Sequence, residues 1–338
     1  MSVIVVTFNS DQEVGRCIKE LEHAHVSIET IVVDNASTDG TVERLKGLEL
    51  VVPNLRAIYN LQNAGLARAN NQGATLAQGK YILILNPDAV AHDEAISRLC
   101  SYLDENPSAG VVGPRILSSD GRVEHSYFRN YNLLLDVFAN TDSFLDAYAK
   151  VISDSLRSRT WQIELSKPTV VDFVSGACMM IRRSLFDAVE GYDENFFLDL
   201  RDVADLCIRV RQRGFQVIYL PSATVEHSAG ASHLGYKGTF WRFQGCVYYA
   251  RKHFGMGYSL LVRLGFVIQF TLLVAANTAI LAWLSLRRNF SERNDDKITN
   301  LTNRVRAQRF GLQKALTRQV HSLYYDGILL SKAWERTD

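Results

Sequence analysis

The sequence predicts an α/β protein built on a mostly parallel sheet flanked by helices. Residues 2–106 alternate four times between short apolar segments of strand length and amphipathic segments of helix length. The run Tyr81–Leu85 is apolar throughout, which is typical of a strand buried on both faces. Each predicted strand is followed by polar residues. Because the carboxyl ends of parallel strands share one edge of a sheet, we expect these polar clusters to converge.

The four strand–helix pairs follow one another from the amino terminus. The predicted strands are rich in apolar residues and comprise Ser2–Phe8, Ile28–Val33, Arg56–Asn60 and Tyr81–Leu85. The predicted helices are Gln12–Ala24, the segment from Gly40 through Leu48, Leu66–Ala77 and Asp93–Asn106. In the first helix, apolar residues recur at helical spacing. Pro87 ends the fourth strand because proline cannot donate a hydrogen bond to the sheet.

The second half of the chain is less regular. Val170–Arg182 is predicted to be a strand region, followed by a helix that reaches Arg213 and a strand at Gln216–Leu220. Segment 119–167 carries aromatic residues without a clear period, and packing or acceptor contacts are both open for them: Phe128, Tyr131, Phe138, Phe144, Tyr148 and Trp161.

Composition places the 338-residue chain among ordinary globular proteins, with 47% hydrophobic and 22% charged residues. The net charge of +1 conceals an asymmetry, since residues 287–338 hold 11 Lys and Arg against 6 Asp and Glu. That segment therefore carries +5 and the remainder −4. A basic carboxyl-terminal region suggests an anionic surface as its partner. We expect no nucleic-acid partner.

The cysteines give no sign of a metal site or a disulfide framework. All five are scattered, and no Cys-x-x-Cys occurs. We interpret them as reduced thiols. The amino terminus has no basic region ahead of its apolar run, so we expect no signal peptide and a cytoplasmic first domain.

The polar clusters at the predicted sheet edge indicate a nucleotide site. They are Thr7–Asn9, Asp34–Ser37, Asn63–Gly65 and Asn86–Asp88. No glycine-rich phosphate loop follows the first strand, which argues against dinucleotide and P-loop proteins. The carboxylate of Asp88 and the amide of Asn86 instead suit a hard divalent cation shared with a phosphate.

These motifs, in this order, resemble glycosyltransferase family 2, and most closely its bacterial rhamnosyltransferase-type members. The resemblance covers roughly residues 1–254 and rests on segments 5–9, 32–40, 63–70 and 86–88. It implies a GT-A fold, in which a metal-dependent α/β domain binds a nucleotide sugar.

The resemblance also implies roles for individual residues. The donor site would be formed by Thr7, Phe8, Asn9, Asp34, Asn35, Ser37, Asn63, Gly65, Asn70 and Asn86, with the base and ribose held by Thr7, Asn9 and Asp34. Asp88 and His227 would bind Mg²⁺ or Mn²⁺, an ion that suits imidazole beside carboxylate. A purely structural role for a lone histidine is the alternative. Gly176 and Ala177 are small enough to let backbone approach an acceptor sugar, although simple packing explains them equally well.

The catalytic base is expected in the segment Arg201–Asp205. Relatives carry a Glu-Asp or Val-Asp pair before an acidic residue and Leu-Cys or Trp-Cys, and the corresponding segment of this chain, Arg201–Cys207, is one residue longer. Asp202 is the matching residue if Ala204 is the insertion; otherwise Asp205 is. An inverting displacement needs a carboxylate opposite the leaving nucleotide, to accept the proton of the acceptor hydroxyl. An aspartate at this place also suits the amino-terminal cap of a helix.

The carboxyl-terminal extension 255–338 carries two apolar features. Segment 264–286 has no charged residue and is long enough to span a bilayer, although Gln269 and Asn277 interrupt it. Segment 299–320 is predicted to be a basic amphipathic helix of the kind that lies in a membrane interface. A span would place the basic tail outside, against the positive-inside preference. A membrane span, a monotopic helix on the inner leaflet and a homo-oligomer contact all remain open.

The sequence thus predicts a GT-A domain at 1–254, with a donor half at 1–118 and an acceptor half at 119–254. Its expected activity is inverting, metal-dependent transfer of a sugar, rhamnose from a dTDP donor in the first instance. The expected acceptor is a lipid-linked glycan or surface polysaccharide at the cytoplasmic face of the bacterial inner membrane. The alternatives are a UDP-hexose transferase and a catalytically inactive nucleotide-sugar-binding scaffold.

Overall fold

The computed structural model describes residues 1–129, 131–134, 137, 166–197, 200–228, 235–286 and 295–316. These residues fall into two compact units. The first contains the described residues up to Tyr131 and those from 166 to 228. The second contains 132–134, 137, 235–286 and 295–316. The domain bounds expected from the sequence stay predictions.

The first unit is a mixed α/β fold, which confirms the predicted fold class. Its amino-terminal strands are β1 (Ser2–Thr7), β2 (Glu29–Asp34), β3 (Leu55–Tyr59) and β4 (Tyr81–Leu85). They pair in parallel in the order β3-β2-β1-β4. The helices between and after them are α1 (Val14–Leu21), α2 (Thr41–Glu49), α3 (Leu66–Leu76) and α4 (Asp93–Glu105).

Hydrophobic burial explains why these segments form the centre of the unit. All five residues of β4 are buried, as the continuous apolar run predicts. Helix α1 buries one stripe at positions i, i+3, i+4 and i+7: Val14, Cys17, Ile18 and Leu21. The stripe joins a core formed with apolar residues of the sheet and of α4. This core fixes the strand ends that carry the polar clusters.

The sheet continues with strands of both directions. The remaining strands are β5 (Ala89–Val90), β6 (Ala109–Ser118), β7 (Val123–Glu124), β8 (Tyr127–Phe128), β9 (Thr169–Val170), β10 (Phe173–Val174), β11 (Cys178–Arg182) and β12 (Gln216–His227). Strand β11 lies antiparallel between β4 and β6, and β12 runs parallel to β6. Among the described residues, the unit also contains helices α5 (Arg183–Ala188) and α6 (Arg201–Gln212).

Several strands differ from the sequence prediction, and the short strands β5, β7 and β8 were not predicted. Strand β6 was not predicted, because glycine and proline interrupt its apolar run. Gly113 leaves room for the side chain of Val174, since a Cβ at Gly113 would lie 2.6 Å from Cβ of Val174. The predicted strand Val170–Arg182 is divided into β9, β10 and β11. Strand β12 extends beyond Leu220 to His227, since a register irregularity between Leu220 and Thr224 accommodates the proline between them.

The second unit is helical. Helix α7 (Gly235–Leu286) is interrupted at Gly255, whose φ of 85° and ψ of 176° are not helical. Its two parts fold back on each other, since the rings of Phe243 and Phe266 lie 5.1 Å apart and Ser259 Oγ donates to the carbonyl of Val247 at 3.0 Å. Helix α8 (Asp295–Leu316) packs against α7.

Parts of two sequence predictions concern residues outside the described ranges. The predicted apolar helix 264–286 lies within α7. The predicted helix 299–320 corresponds to α8 as far as Leu316, and 317–320 lie outside the described residues. Four of the aromatic residues noted in segment 119–167 also lie outside them: Phe138, Phe144, Tyr148 and Trp161.

Candidate active site

The ends of β1 and β2 form the first part of the site. Asp34 is buried at the end of β2, opposite Thr7 in the parallel register. Its carboxylate accepts hydrogen bonds from Thr7 Oγ1 at 2.9 Å, from Ser37 Oγ at 2.5 Å and from the Ser37 backbone N–H at 3.0 Å. Three donors therefore hold this carboxylate in one orientation at the sheet edge.

The turn after β1 is locked to the turn after β2. The backbone N–H of Asn9 donates to Ser37 Oγ at 2.8 Å, and Asn9 Oδ1 accepts from the Thr38 N–H at 2.8 Å. Asn9 adopts a positive φ of 53°, a conformation that asparagine tolerates better than most residues. Phe8 lies beside it with about half of its surface exposed. The turn thus presents an aromatic ring and an asparagine at the rim of the site.

An amide network links β2, β3 and α3. Asn35 is buried, and its Nδ2 donates to the carbonyl of Gly65 at 3.2 Å. Its Oδ1 accepts from Asn60 Nδ2 at 2.9 Å, and Asn60 exchanges two further hydrogen bonds with Gln72. The network fixes the start of α3 relative to the neighbouring strand ends.

Gly65 occupies a position that requires glycine. Its φ is 84°, and a Cβ there would lie 2.8 Å from the backbone oxygen and the ring of Phe197. The carbonyl of Phe197 accepts from the Leu66 N–H at 2.7 Å, and Asn63 Oδ1 accepts from the Gly65 N–H at 3.0 Å. Asn70 follows in α3, buried, with its side-chain oxygen lacking a partner among the described residues.

The turn after β4 lies against the turn before β11. The backbone N–H of Asn86 donates to the carbonyl of Ala177 at 2.9 Å. A Cβ on Gly176 would approach the Val203 side chain of α6 to 3.0 Å. These contacts bring three predicted site residues together with the start of α6.

Asp88 and His227 form the candidate metal site. Asp88 is buried, and neither oxygen of its carboxylate has a hydrogen-bond partner in the described part of the chain. Nε2 of His227 lies 3.3 Å from Asp88 Oδ1. The Asp88 carboxylate raises the pKa of His227 above its usual value, burial opposes this, and Glu124 adds to the increase.

The donor set fits a divalent cation shared with a substrate. Two buried carboxylate oxygens without donors and a facing imidazole nitrogen are a suitable partial ligand set. Glu124 contacts the other ring nitrogen, Nδ1, at 3.1 Å. It therefore lies on the far side of the ring from Asp88, where it orients His227. Over the described residues, no group of three or more His, Cys, Asp or Glu side chains converges on one metal position.

The two candidate bases lie in the first turns of α6 and differ in their surroundings. Asp205 is fully buried, and its Oδ2 accepts from Arg209 Nε at 2.8 Å. Asp202 is 1% exposed, and its Oδ1 accepts from the Val203 N–H at 2.5 Å. An ion pair engages Asp205, and Asp202 directly precedes Val203, whose side chain faces the Gly176 turn.

Sequence reasoning missed Glu124, Asn71 and the Asn60–Gln72 pair. Asn71 is bound twice to the backbone of Tyr192. Glu124 and Asn71 meet partners more than 100 positions away, so no local pattern marks them. The i,i+4 spacing of Asp205 and Arg209 was visible in the sequence and is typical of a helical ion pair.

A comparison with known families identifies the class of protein. The sequence profile of glycosyl transferase family 2 matches residues 2–189. This chain belongs to that family and is a glycosyltransferase.

Similar proteins include two bacterial rhamnosyltransferases. N-acetylglucosaminyl-diphospho-decaprenol L-rhamnosyltransferase of Mycobacterium tuberculosis is 29% identical over 289 residues, which are 75% of this chain and 85% of that protein. Rhamnosyltransferase WbbL of Escherichia coli K12 is 24% identical over 245 residues, 67% of this chain and 83% of the relative.

A solved structure shows the fold. Mannosyltransferase PcManGT from Pyrobaculum calidifontis, in complex with GDP-Man and Mn²⁺, has a TM-score of 0.55 and 16% sequence identity to this chain. The match covers 94% of this chain and 87% of the mannosyltransferase. The GT-A fold that the sequence resemblance implied is confirmed.

Proposed function

We propose that this chain transfers rhamnose, with inversion, from a dTDP donor to a lipid-linked acceptor in surface glycan synthesis. The observation that carries the proposal is the convergence of four polar strand ends on one sheet edge beside the Asp88–His227 pair. The similarity to two rhamnosyltransferases supports the choice of sugar, and the decaprenol in the name of one of them supports the lipid-linked acceptor.

The donor nucleotide occupies the edge formed by β1, β2 and β3. Asp34, fixed by Thr7 and Ser37, accepts hydrogen bonds from the base or ribose. The exposed ring of Phe8 offers a surface on which a base stacks. The buried side-chain oxygen of Asn70 has no partner among the described residues, and a hydroxyl group of the donor sugar would satisfy it.

Asp88 and His227 would hold Mg²⁺ or Mn²⁺, which would supply positive charge to neutralise the diphosphate leaving group. Glu124 accepts a hydrogen bond from the Nδ1–H of His227 and thereby keeps Nε2 directed at Asp88. The Mn²⁺ in the mannosyltransferase neighbour supports a divalent ion in this fold.

Asp202 acts as the general base. The acceptor oxygen forms a bond to the anomeric carbon as the bond from that carbon to the diphosphate breaks. The bonding electrons leave with the nucleoside diphosphate, and the hydroxyl proton passes to Asp202. Because Asp202 is 1% exposed, this step requires its carboxylate to become accessible when substrates bind.

One observation favours a second candidate function. Both aspartates of the base segment are buried, and Asp205 is engaged by Arg209. A nucleotide-sugar-binding scaffold that has lost catalysis would tolerate such burial. An enzyme that uses a UDP-hexose donor instead would share every residue described above.

A thermal-shift panel of dTDP, UDP and GDP with and without Mn²⁺ tests the donor proposal. A nucleotide that binds the folded state raises the melting temperature according to its concentration relative to its Kd. We expect dTDP with Mn²⁺ to give the largest increase. A larger increase with UDP overturns the choice of donor, and no increase with any of the three overturns the site.

We propose the cytoplasmic face of the bacterial inner membrane as the location, where a nucleotide sugar and a lipid-linked acceptor meet. In the described part of the chain, one helical segment, Trp241–Trp283, is long and apolar enough to cross a membrane by length and composition. For the apolar segment 264–286, the sequence also left open a monotopic helix on the inner leaflet and a homo-oligomer contact.

A further inference from the structure

The second part of α7 is apolar on both of its faces, because it buries Val262, Phe266, Phe270 and Leu273 and still exposes further large apolar side chains. Its exposed face carries large apolar side chains, each between 46% and 56% exposed: Leu260, Leu261, Leu264, Ile268, Leu272 and Trp283. Their spacing places them on one stripe along Leu260–Trp283, about 35 Å at 1.5 Å per residue. A contiguous exposed apolar stripe of this length marks an interaction surface.

Two amide side chains of the same helix, those of Gln269 and Asn277, face inward and are bonded there. Gln269 is buried and its Nε2 donates to the carbonyl of Val137 at 2.7 Å. Asn277 is buried and donates to Gln308 Oε1 of α8 at 2.9 Å. On the exposed face, Thr271 Oγ1 donates to the Val267 carbonyl at 2.7 Å within the helix. The two residues that interrupt the apolar segment in the sequence therefore do not interrupt the exposed stripe.

The charge of these helices matches an anionic surface. Helix α7 has no Asp or Glu, and four of its five Lys and Arg residues lie in its first part, before Gly255. On α8, Arg306 and Arg309 are exposed. Anionic lipid headgroups attract such basic residues, while an apolar stripe enters the acyl boundary below them.

The position of α8 argues against a transmembrane orientation. Gln308 pairs with Asn277, and a Cβ on Gly311 would lie 3.0 Å from the Phe270 ring, so α8 runs beside the middle of the apolar segment. If α7 crossed the bilayer, exposed Arg306 and Arg309 would lie in the hydrocarbon region, where an arginine is costly. With α7 in the plane of the membrane, both arginines can reach the headgroups.

We propose that the exposed α7 stripe, Leu260–Trp283, lies in the plane of an anionic lipid bilayer with its side chains in the acyl boundary. A second copy of this chain is the competing occupant. The stripe offers it no charged group, and protein interfaces of stable complexes generally carry several hydrogen bonds. This inference does not depend on which donor or acceptor the enzyme uses.

Vesicle flotation of the full chain tests the proposal. We expect flotation with phosphatidylglycerol-containing vesicles and at least a fivefold smaller floating fraction with phosphatidylcholine alone. The double variants Leu264→Glu/Ile268→Glu and Leu264→Gln/Ile268→Gln should lose flotation while keeping their melting temperature. Leu50→Glu, an exposed leucine of the first unit, is the matched control and should float like the wild type. Arg306→Gln/Arg309→Gln should lose the preference for anionic vesicles.

Depth measurement separates the two membrane orientations. A fluorophore on cysteine introduced at Leu260, Ile268 or Trp283 is quenched by lipids brominated near the headgroup or near the chain end. The in-plane arrangement predicts the same shallow depth at all three positions, whereas a span predicts that Ile268 is deepest and overturns the proposal. Undiminished flotation of both double variants also overturns it. A wild-type dimer without flotation, converted to a monomer by the same variants, assigns the stripe to a second copy.

Discussion

Asn71 of α3 holds the backbone of Tyr192 through two hydrogen bonds. Its Nδ2 donates to the Tyr192 carbonyl at 2.9 Å, and its Oδ1 accepts from the Tyr192 N–H at 2.8 Å. Gly191 beside it has a φ of 65°, and a Cβ there would lie 2.5 Å from Asn71 Oδ1. Helix α3 thus anchors the start, at Tyr192, of the segment that leads toward Asp202.

We predict that Asn71→Ala lowers transfer about tenfold and changes dTDP affinity less than about twofold. Loss of two hydrogen bonds costs about 1–3 kcal/mol, and this loosens segment 191–197 rather than the nucleotide contacts. Steady-state kinetics and calorimetry measure the two effects. Thr75→Ala, at an exposed position of the same helix, is the control. Equal losses of dTDP affinity and transfer would assign Asn71 to the donor site itself.

Asp88→Ala should remove Mn²⁺-dependent nucleotide binding and leave the fold intact. Its buried carboxylate oxygens have no hydrogen-bond partner among the described residues, so their removal sacrifices little native stability. Titration calorimetry with and without Mn²⁺ measures the change. Asp93→Ala is a matched control, because Asp93 also pairs with a histidine, His25, at 2.5 Å. Unchanged Mn²⁺ dependence in Asp88→Ala would reject the metal assignment.

Glu124→Gln should weaken Mn²⁺ binding about 10- to 100-fold without abolishing it. A carboxylate that orients a ligating imidazole typically contributes this much to metal affinity. Mn²⁺ titration followed by electron paramagnetic resonance measures it independently of activity. Glu226→Gln is the control, since Glu226 pairs with Arg16 at 2.7 Å. A similar loss in both variants would mean that general charge, and not orientation of His227, is responsible.

Asp202→Asn and Asp205→Asn should fail in different ways. Asp202→Asn should retain donor and metal binding and lose transfer by about 10²–10⁴-fold, the usual contribution of a positioned base. Asp205→Asn disrupts a buried pair with Arg209, so we expect it to lower the melting temperature more than it lowers turnover per folded molecule. Kinetics and thermal melts on both variants decide the assignment. If Asp205 is essential and Asp202 is dispensable, Asp205 is the base and the residue by which this segment exceeds its relatives lies upstream of Ala204.

Local patterns were sufficient to predict the first half of the first unit. The predicted strand Tyr81–Leu85 has the same bounds as β4, since a continuous apolar run ended by Asn-Pro leaves little freedom. The parallel order of β1 to β4 follows from strand–helix alternation. Convergence of the polar strand ends is a consequence of that order.

Long-range contacts were not predictable in this way. Glu124 reaches His227 across 103 positions, and Asn71 reaches Tyr192 across 121. Gln269 and Asn277 looked like interruptions of an apolar helix, because sequence alone does not tell which partner lies against each face. Their inward hydrogen bonds become visible only when α7, α8 and residue 137 are placed together.

The most direct test of the central claim is release of dTDP from dTDP-rhamnose by the full chain, with a lipid-linked acceptor and with or without Mn²⁺. We predict steady turnover that requires the metal and that Asp88→Ala abolishes. Tight, Mn²⁺-dependent binding of dTDP-rhamnose without any turnover would contradict the account and identify the chain as a binding scaffold.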